Sequence, residues 1–391
     1  MKMFKLRKLL FLFLSISFVQ CSKKEIDNTT VQALELKTSF TTNVAQTTVN
    51  SQVQFSGSSN NTESNIVFWE WDFADGTSVV NTQNPSHSFS LAGSYFVKLT
   101  VKNILGQTAS FSKRILVKNS TSANYGNLIG FKEKLGLLNP KAMVAAHRAY
   151  HKNFPENSIA AINDAVVNHI NIVEIDTRLT LDNELVIMHD PTTTRTTNGN
   201  FTIAQKTLTE LKQLRLLFNG SATTFTIPTL KEALEAAKGK VYVNIDASWD
   251  NAVAYYNKIY NTVAALNMVN MVMIYTESAE VAKGLLEMDA DVIVLLGAGN
   301  ATDYNNASNM NPKTSVWHLA SATLSPNYTN WPINNGIKLW ANAYVNSIST
   351  PPVFGNDGVV DNLINNKISL IQTDYPREII SYLQGKNLWL Q

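Results

Sequence analysis

Cysteine is almost absent from this chain, since Cys21 is the only one among 391 residues. No disulfide can therefore form within the chain, even though the residues before Cys21 point to export. A basic segment comes first and contains Lys2, Lys5, Arg7 and Lys8. The apolar run that follows, residues 9–19, is too short to span a bilayer, which needs about 20 apolar residues. Together they are typical of a secretory signal.

Cys21 lies directly after this run. Acylation of its thiol would explain both this position and the absence of a second cysteine to pair with. The sequence predicts a lipoprotein signal peptide over residues 1–20, cleaved before Cys21, and a polar tether over residues 21–34. We expect an exported protein, lipid-anchored to the bacterial cell envelope and periplasmic or surface-facing. Gln20 departs from the small residue usual before such a cysteine. An ordinary signal peptide with an incidental cysteine is therefore the alternative.

An excess of charge of one sign is also lacking, with 32 basic and 30 acidic residues and a net charge of +2. This balance argues against nucleic acid as the main partner, because such a domain needs a basic stripe. Apolar residues make up 45% of the chain, which is enough to bury sizeable cores. At roughly 150 residues a domain, the length indicates two or three domains.

Helical periodicity is missing between residues 35 and 118. Short alternating runs such as 95–101 and 111–117 predict β-strands instead, and the segment is interpreted as an all-β, immunoglobulin-like sandwich. Three motifs resemble a polycystic-kidney-disease-type (PKD) repeat: Trp71-Asp72-Phe73-Ala74-Asp75-Gly76, Asn84-Pro85-Ser86-His87-Ser88-Phe89 and Gly93-Ser94-Tyr95-Phe96-Val97. Trp71 and Phe73 share a strand face and should fill the core. Such repeats are spacers or adhesion modules, so a glycan or protein contact is an open alternative for Trp69 or Trp71.

Strands and helices alternate from residue 141 onward, after a connector over residues 119–140. The candidate strands are 143–146, 172–176, 185–189, 241–245, 271–275, 292–296, 337–342 and 370–373. Eight apolar strands separated by helices predict an α/β TIM (β/α)₈ barrel over residues 141–391. A further extended piece at 316–319 leaves the strand count open by one.

Ionisable residues follow several of these strands, where barrel enzymes keep their catalytic groups. Glu174 and Asp176 are two residues apart on one strand, so they face the same way with Cα atoms roughly 6.6 Å apart. Two such carboxylates repel unless a cation lies between them, and oxygen ligands suit Mg²⁺ or Ca²⁺. Asp246 could supply a third ligand. The alternative is a structural ion pair with Arg148 or Arg178.

Two histidines, His147 and His189, are predicted to flank this metal site. Histidine titrates near neutrality, so one imidazole can start protonated and the other neutral. Such a pair suits a displacement at phosphorus, in which one group activates the nucleophile and the other protonates the leaving alcohol. We therefore predict both as catalytic residues.

The C-terminal region resembles the glycerophosphodiester phosphodiesterase family. The resemblance is carried by His147-Arg148, Pro155-Glu156-Asn157-Ser158, Glu174-Ile175-Asp176, Leu185-Val186-Ile187-Met188-His189-Asp190, Arg195-Thr196-Thr197, Pro228-Thr229-Leu230, Trp340-Ala341-Asn342 and Thr373-Asp374-Tyr375-Pro376. It implies a metal-dependent barrel that hydrolyses glycerophosphodiesters to glycerol 3-phosphate and an alcohol.

The resemblance also implies roles for individual residues. His147 and His189 would be acid and base, Arg148 a phosphate ligand, and Glu174, Asp176 and Asp246 the metal ligands. Glu156 and Asn157 would tie the first loop to the strand ends. We expect Trp340 to cover the glycerol side of the pocket, with a purely structural core tryptophan as the alternative.

Two departures from the family pattern stand out. Ala149 replaces the usual glycine after His-Arg. The fourth strand ends in Asp246, a shorter acid than the usual glutamate, without the nearby lysine that contacts phosphate; His151 or Lys152 could substitute for it. Two alternatives therefore stay open: a non-catalytic surface module that binds a ligand, and a related phosphodiesterase that acts on phospholipid head groups or cyclises its product.

Overall fold

The computed structural model describes residues 35–60, 65–120, 128–138, 140–343 and 358–391. The predicted signal peptide, the tether and Cys21 lie outside the described residues, so these predictions stay predictions. Within those ranges, no helix combines the length and the apolar character needed to cross a membrane.

The N-terminal unit is a sandwich of two sheets, as the alternating runs predicted. Its strands are β1 Thr38–Thr42, β2 Gln46–Thr48, β3 Gln52–Ser59, β4 Ile66–Asp72, β5 Ser86–Ser88, β6 Gly93–Asn103 and β7 Thr108–Lys118. One sheet has the order β1-β3-β5 and the other β2-β7-β6-β4. Trp71 and Phe73 are buried between the sheets, and the Trp71 indole donates to the Thr82 carbonyl at 2.8 Å. The residues shared with PKD repeats therefore build the sandwich core.

The C-terminal unit is a closed barrel of eight parallel strands surrounded by helices. The remaining strands are β8 Met143–Ala146, β9 Ile172–Leu179, β10 Leu185–Ile187, β11 Leu217–Phe218, β12 Ser221–Ala222, β13 Tyr242–Asp246, β14 Val272–Thr276, β15 Ile293–Gly297, β16 Val316–Leu319, β17 Lys338–Asn342 and β18 Leu370–Thr373. The barrel order is β9-β13-β14-β15-β16-β17-β18-β8, and β8 pairs with β9 to close it.

The helices of the described residues are short and lie between the strands. They are α1 Phe131–Gly136, α2 Ile159–Val167, α3 Leu208–Leu211, α4 Leu230–Ala237, α5 Val253–Ala265, α6 Ala279–Met288, α7 Ala301–Asn309, α8 Pro326–Asn334, α9 Val359–Asn365 and α10 Pro376–Gly385. Helix α4 begins after a capping box formed by Thr229 and Glu232.

The prediction of a barrel strand at 185–189 is wrong, and the uncertain segment 316–319 is a barrel strand instead. Strand β10 pairs antiparallel with the end of β9, with Leu185 opposite Leu179, so it lies outside the parallel barrel. The five residues between them can close a hairpin, whereas a parallel crossover needs a dozen or more. The eighth barrel strand is instead β16, which pairs with β15 and β17. His189 therefore follows a hairpin strand beside the barrel.

The sandwich packs directly on the barrel. Ala92 is buried in the barrel's hydrophobic cluster, and the Ser94 N–H donates to Asn261 Oδ1 at 2.7 Å. Lys118 Nζ lies 3.1 Å from Asp289 and 2.7 Å from Asp291. The two aspartates precede β15, so this contact lies at the N-terminal end of the barrel strands. The opposite end, where the predicted site residues lie, stays clear of it.

Candidate active site

Three carboxylates converge at the C-terminal ends of β9 and β13. The parallel register places Asp176 beside Asp246, and Glu174 lies one pleat deeper on the same face. One oxygen from each of Glu174, Asp176 and Asp246 lies within 4.8 Å of the others. Glu174 and Asp176 are 2% and 1% exposed, so water cannot screen their charges effectively. The predicted metal ligands are therefore brought together.

The electrostatics of this cluster favour the binding of a cation. Burial, reinforced by the charges of Asp176 and Asp246, raises the pKa of Glu174 well above its usual range. Burial and the charge of Asp246 raise the pKa of Asp176 to about 6, and burial raises that of Asp246. Three such acids ionise together when a cation offsets their repulsion. Hard carboxylate oxygens suit a divalent metal ion, so the residues present fit one.

Residues of the first loop hold the two acids of β9 in place. The Arg148 backbone N–H donates to Glu174 Oε2 at 2.7 Å. The Asn157 side-chain amide donates to Asp176 Oδ2 at 2.7 Å and accepts the Asp176 backbone N–H at 3.2 Å. Each carboxylate thus uses one oxygen within the protein and presents the other to a ligand. Asn157 makes the link that was predicted for it.

His147 follows β8 and is held by an aspartate from the far end of the chain. Its Nδ1 lies 2.7 Å from Asp374 Oδ1, directly after β18, which is the neighbour of β8 in the barrel. Burial opposes ionisation of Asp374, but the hydrogen bond and charge of His147 lower its pKa. An ionised Asp374 accepts an N–H from Nδ1 of His147 and so fixes the tautomer and the orientation of the imidazole.

His189 is held in the same way, by the aspartate that follows it in the sequence. Its Nδ1 lies 2.7 Å from Asp190 Oδ1, and Arg195 donates to both oxygens of Asp190 at 2.8 and 3.0 Å. Hydrogen bonds from Arg195 and then His189 lower the pKa of Asp190. Arg195 also donates to Glu156 at 2.7 and 2.8 Å, and Glu156 accepts from Arg148 at 3.1 Å. Glu156 therefore joins the His189 side of the site to Arg148.

A single cavity of about 240 Å³ collects these groups at the mouth of the barrel. The predicted residues that line it are His147, Arg148, Glu174, Asp176, His189, Asp246 and Trp340. The Trp340 indole is buried and donates to Asn342 Oδ1 at 3.2 Å, and both residues face the cavity. The imidazoles of His147 and His189, one guanidinium and three carboxylates in one small cavity can bind an anionic substrate and move its protons.

Comparison with known proteins decides the family. The model of the glycerophosphoryl diester phosphodiesterase family matches residues 147–383, which is more than half of the chain and spans every residue of this cavity. The chain belongs to the glycerophosphodiester phosphodiesterase family. The model of the PKD domain matches residues 38–118, the sandwich.

Characterised relatives are similar over part of the barrel. The glycerophosphodiester phosphodiesterase of Caldanaerobacter subterraneus subsp. tengcongensis is 41% identical over 109 residues, 27% of this chain and 45% of that protein. Mouse glycerophosphodiester phosphodiesterase 1 is 31% identical over 174 residues, 42% of this chain and 52% of that protein. The chain thus spans about half the length of the curated relatives it matches.

Solved structures of the family share the fold. A glycerophosphoryl diester phosphodiesterase from Parabacteroides distasonis has a TM-score of 0.54 at 20% identity, covering 63% of this chain and 87% of that chain. A phosphodiesterase from Oleispira antarctica, solved with the product sn-glycerol-3-phosphate, has a TM-score of 0.52 at 21% identity. It covers 63% of this chain and 98% of that chain.

The structure also locates the departures from the family pattern. Ser248 lies near the position of the usual lysine, and its N–H and hydroxyl hold Asp246 Oδ1 at 2.9 and 2.7 Å. Lys152 is turned away from the cavity, because its Nζ pairs with Glu378 at 3.3 Å. His151 stays closer to the site, with Nε2 3.9 Å from Asp374. Of the two predicted substitutes for the lysine, His151 is the one that contacts His147 and Asp374.

Several residues of the site escaped the sequence analysis. Asp190, Arg195 and Asp374 were assigned no role, yet the two aspartates hold the histidines and Arg195 holds Asp190. His318 was not singled out in the sequence analysis, but it lines the cavity with its ring 5.3 Å from that of Tyr275. Burial lowers the pKa of His318 to about 4, although its hydrogen bond with Asn342 opposes this. Its place on β16 was hidden because that strand was the uncertain one.

The backbone after His147 is in an unusual conformation. Arg148 and Ala149 have φ values of +52° and +62°, in the left-handed region that favours glycine. The turn directs the Arg148 N–H to Glu174 and the Ala149 N–H to the Glu174 carbonyl. Glycine, which the family pattern implies at the position of Ala149, would adopt this conformation without strain.

We expect Ala149→Gly to stabilise the protein by about 0.5–1 kcal/mol. The substitution removes the steric cost of a left-handed alanine, and the greater freedom of glycine in the unfolded chain offsets part of the gain. Urea unfolding of both proteins measures the difference. Ala236→Gly, inside helix α4, is the control and should lower stability by about 0.5–1 kcal/mol. Equal destabilisation by both substitutions would contradict the assigned strain.

Proposed function

We propose that the protein is a metal-dependent phosphodiesterase that hydrolyses glycerophosphodiesters to glycerol 3-phosphate and an alcohol. The observation that carries this proposal is the pair of aspartate-held histidines, His147 and His189, beside the buried carboxylate triad in one cavity. The product-bound relative from Oleispira antarctica, which has the same fold, supports glycerol 3-phosphate as a product.

The two histidines would transfer the protons of the reaction. One imidazole takes a proton from a water molecule as the water oxygen attacks phosphorus. The bond from phosphorus to the leaving alcohol breaks, and the other imidazole, in its protonated form, gives that oxygen a proton. Asp374 and Asp190 each lie 2.7 Å from Nδ1 of one imidazole and so fix the orientation of the two rings at the cavity.

Arg148 is the group in the site best suited to a phosphate oxygen. It lines the cavity, its Nη1 is tied to Glu156, and its buried Nε makes no hydrogen bond within the described residues. A guanidinium held in this way presents a fixed donor to an anionic substrate.

Glu174, Asp176 and Asp246 would hold one divalent cation, Mg²⁺ or Ca²⁺. When bound, the metal ion would polarise the phosphoryl oxygen and neutralise its charge. Trp340, in the opposite wall of the cavity, would contact the glycerol group of the substrate.

Hydrolysis can be tested directly with residues 35–391 and a panel of glycerophosphodiesters in a divalent-metal series. We expect equal amounts of glycerol 3-phosphate and released alcohol. Binding of the diesters without hydrolysis in every metal would favour the alternative of a non-catalytic ligand-binding module. That alternative was raised because the lysine near Asp246 is missing. Turnover of intact phospholipids, with glycerophosphodiesters left unchanged, would favour a head-group phosphodiesterase.

We also propose that the mature protein begins with an acylated Cys21 and is anchored in the bacterial cell envelope. We expect a fatty-acid analogue to label the wild-type protein in cells and to spare Cys21→Ser, because the lone thiol is the acylation site. Immunoprecipitation and detection of the label measure this, with total protein as the loading control. Equal labelling of both proteins, or of neither, would refute the assignment.

A further inference from the structure

Asn244 brings a fourth side-chain oxygen to the cavity that holds the three acids. Asn244 lies two residues before Asp246 on β13, so the two side chains face the same way. In the parallel register Asn244 is the partner of Glu174, and it lines the same cavity as the three acids.

Asn244 is a buried amide whose oxygen has no hydrogen-bond partner in the described part of the chain. The residue is 2% exposed, and its Oδ1 is fully covered. Native proteins seldom leave a buried polar atom unsatisfied, and each exception calls for an explanation such as an ion or a bound water. The neighbouring carboxylates offer no proton donor to this oxygen when they are ionised.

We infer that Asn244 Oδ1 is a fourth protein ligand of the cation and that the site prefers Ca²⁺ to Mg²⁺. This inference rests on the metal site of the proposed function. It adds a neutral ligand to the three acids, all four of them on the adjacent strands β9 and β13.

The expected preference for Ca²⁺ follows from the number and the chemical type of the ligands. Ca²⁺ takes six to eight oxygens and readily includes asparagine carbonyls, whereas Mg²⁺ keeps several waters and is held by one or two carboxylates. Asp246 has one oxygen occupied by Ser248, so it offers a single oxygen to an ion. The short Asp246 and the added Asn244 together favour a larger ion with more protein ligands.

Isothermal titration of metal-free residues 35–391 with CaCl₂ and with MgCl₂ tests the inference without any substrate. We expect Ca²⁺ to bind at least about tenfold more tightly than Mg²⁺ to the wild type. Asn244→Leu, which keeps the side-chain size, should weaken Ca²⁺ binding by at least about tenfold, the smallest loss usual for supporting groups of metal sites. Asn342→Leu, in the opposite wall of the cavity, should bind Ca²⁺ like the wild type.

Thermal unfolding separates a ligand from a structural residue. In EDTA, Asn244→Leu should be at least as stable as the wild type, because the substitution removes an unsatisfied buried oxygen. In Ca²⁺ the wild type should be more stable than Asn244→Leu, because the wild type binds the ion more tightly and binding stabilises the folded state. If the leucine variant does not fold, Asn244→Ala takes its place in both measurements.

Two results would overturn the inference: unchanged Ca²⁺ affinity in the Asn244 variant, or tighter binding of Mg²⁺ than of Ca²⁺ by the wild type. Neither result depends on catalysis. A protein that binds Ca²⁺ through Asn244 but hydrolyses no diester would leave this inference standing and refute the proposed function.

Discussion

Replacing His147 or His189 by alanine should lower kcat on glycerophosphodiesters by at least roughly 10²-fold, since a positioned acid or base contributes about 10²–10⁴-fold. Each imidazole is held by its own aspartate at 2.7 Å, and both line the cavity with the carboxylate triad. Metal content should stay near that of the wild type, because the predicted ligands are oxygens. Steady-state kinetics and elemental analysis measure the two quantities.

Variants of His147 and His189 should also show which imidazole is the general acid and which is the general base. The double variant should lose less than the product of the single losses, because residues that act as a unit do not contribute independently. A leaving group of low pKa, such as p-nitrophenol, needs no acid, so it should rescue only the variant that lacks the general acid. That rescue would assign the acid and the base.

A matched control is His169→Asn, because His169 is exposed, lies outside the cavity and has a left-handed φ of +54° that asparagine tolerates. Its kcat should equal that of the wild type. If His147→Ala and His189→Ala also keep a near-wild-type kcat, the proposed mechanism is wrong even though the family and the fold stand.

Removing the metal should abolish hydrolysis, and added Mg²⁺ or Ca²⁺ should restore it. The reason is the buried cluster of Glu174, Asp176 and Asp246, whose negative charges need a cation to coexist. Glu174→Ala should remove both the bound metal and the activity. Activity assays in EDTA and in a divalent-metal series, with elemental analysis of each protein, measure these effects.

Thermal unfolding gives a second measure of the metal site. A divalent ion that binds the folded state should raise the Tm of the wild type and leave that of Glu174→Ala unchanged. Glu184→Ala, at an exposed position beyond β9, is the control and should respond to metal like the wild type. Full activity in chelator, with no metal found in the protein, would exclude the proposed cofactor.

Local patterns predicted the two architectures well. The strand alternation of the sandwich and the succession of strands and helices in the barrel need only neighbouring residues, because side chains repeat every two residues in a strand. The misassigned strand shows the limit of this reasoning. Apolar segments 185–187 and 316–319 have similar patterns, and only the pairing partners reveal that the second one belongs to the barrel.

The sequence by itself determined that Glu174 and Asp176 face the same way, that His147 follows a strand, and that one chain carries a sandwich and a barrel. These properties follow from spacing within one element. Tertiary structure alone decided that Asp374 holds His147, 227 residues away, and that Arg195 joins Asp190 to Glu156. It also decided that Asn244 is the strand partner of Glu174 and that its Oδ1 finds no hydrogen-bond donor among the residues that the structure describes. The physical reason is that barrel closure and strand register bring distant residues into hydrogen-bonding range, and local periodicity carries no record of which strands become neighbours.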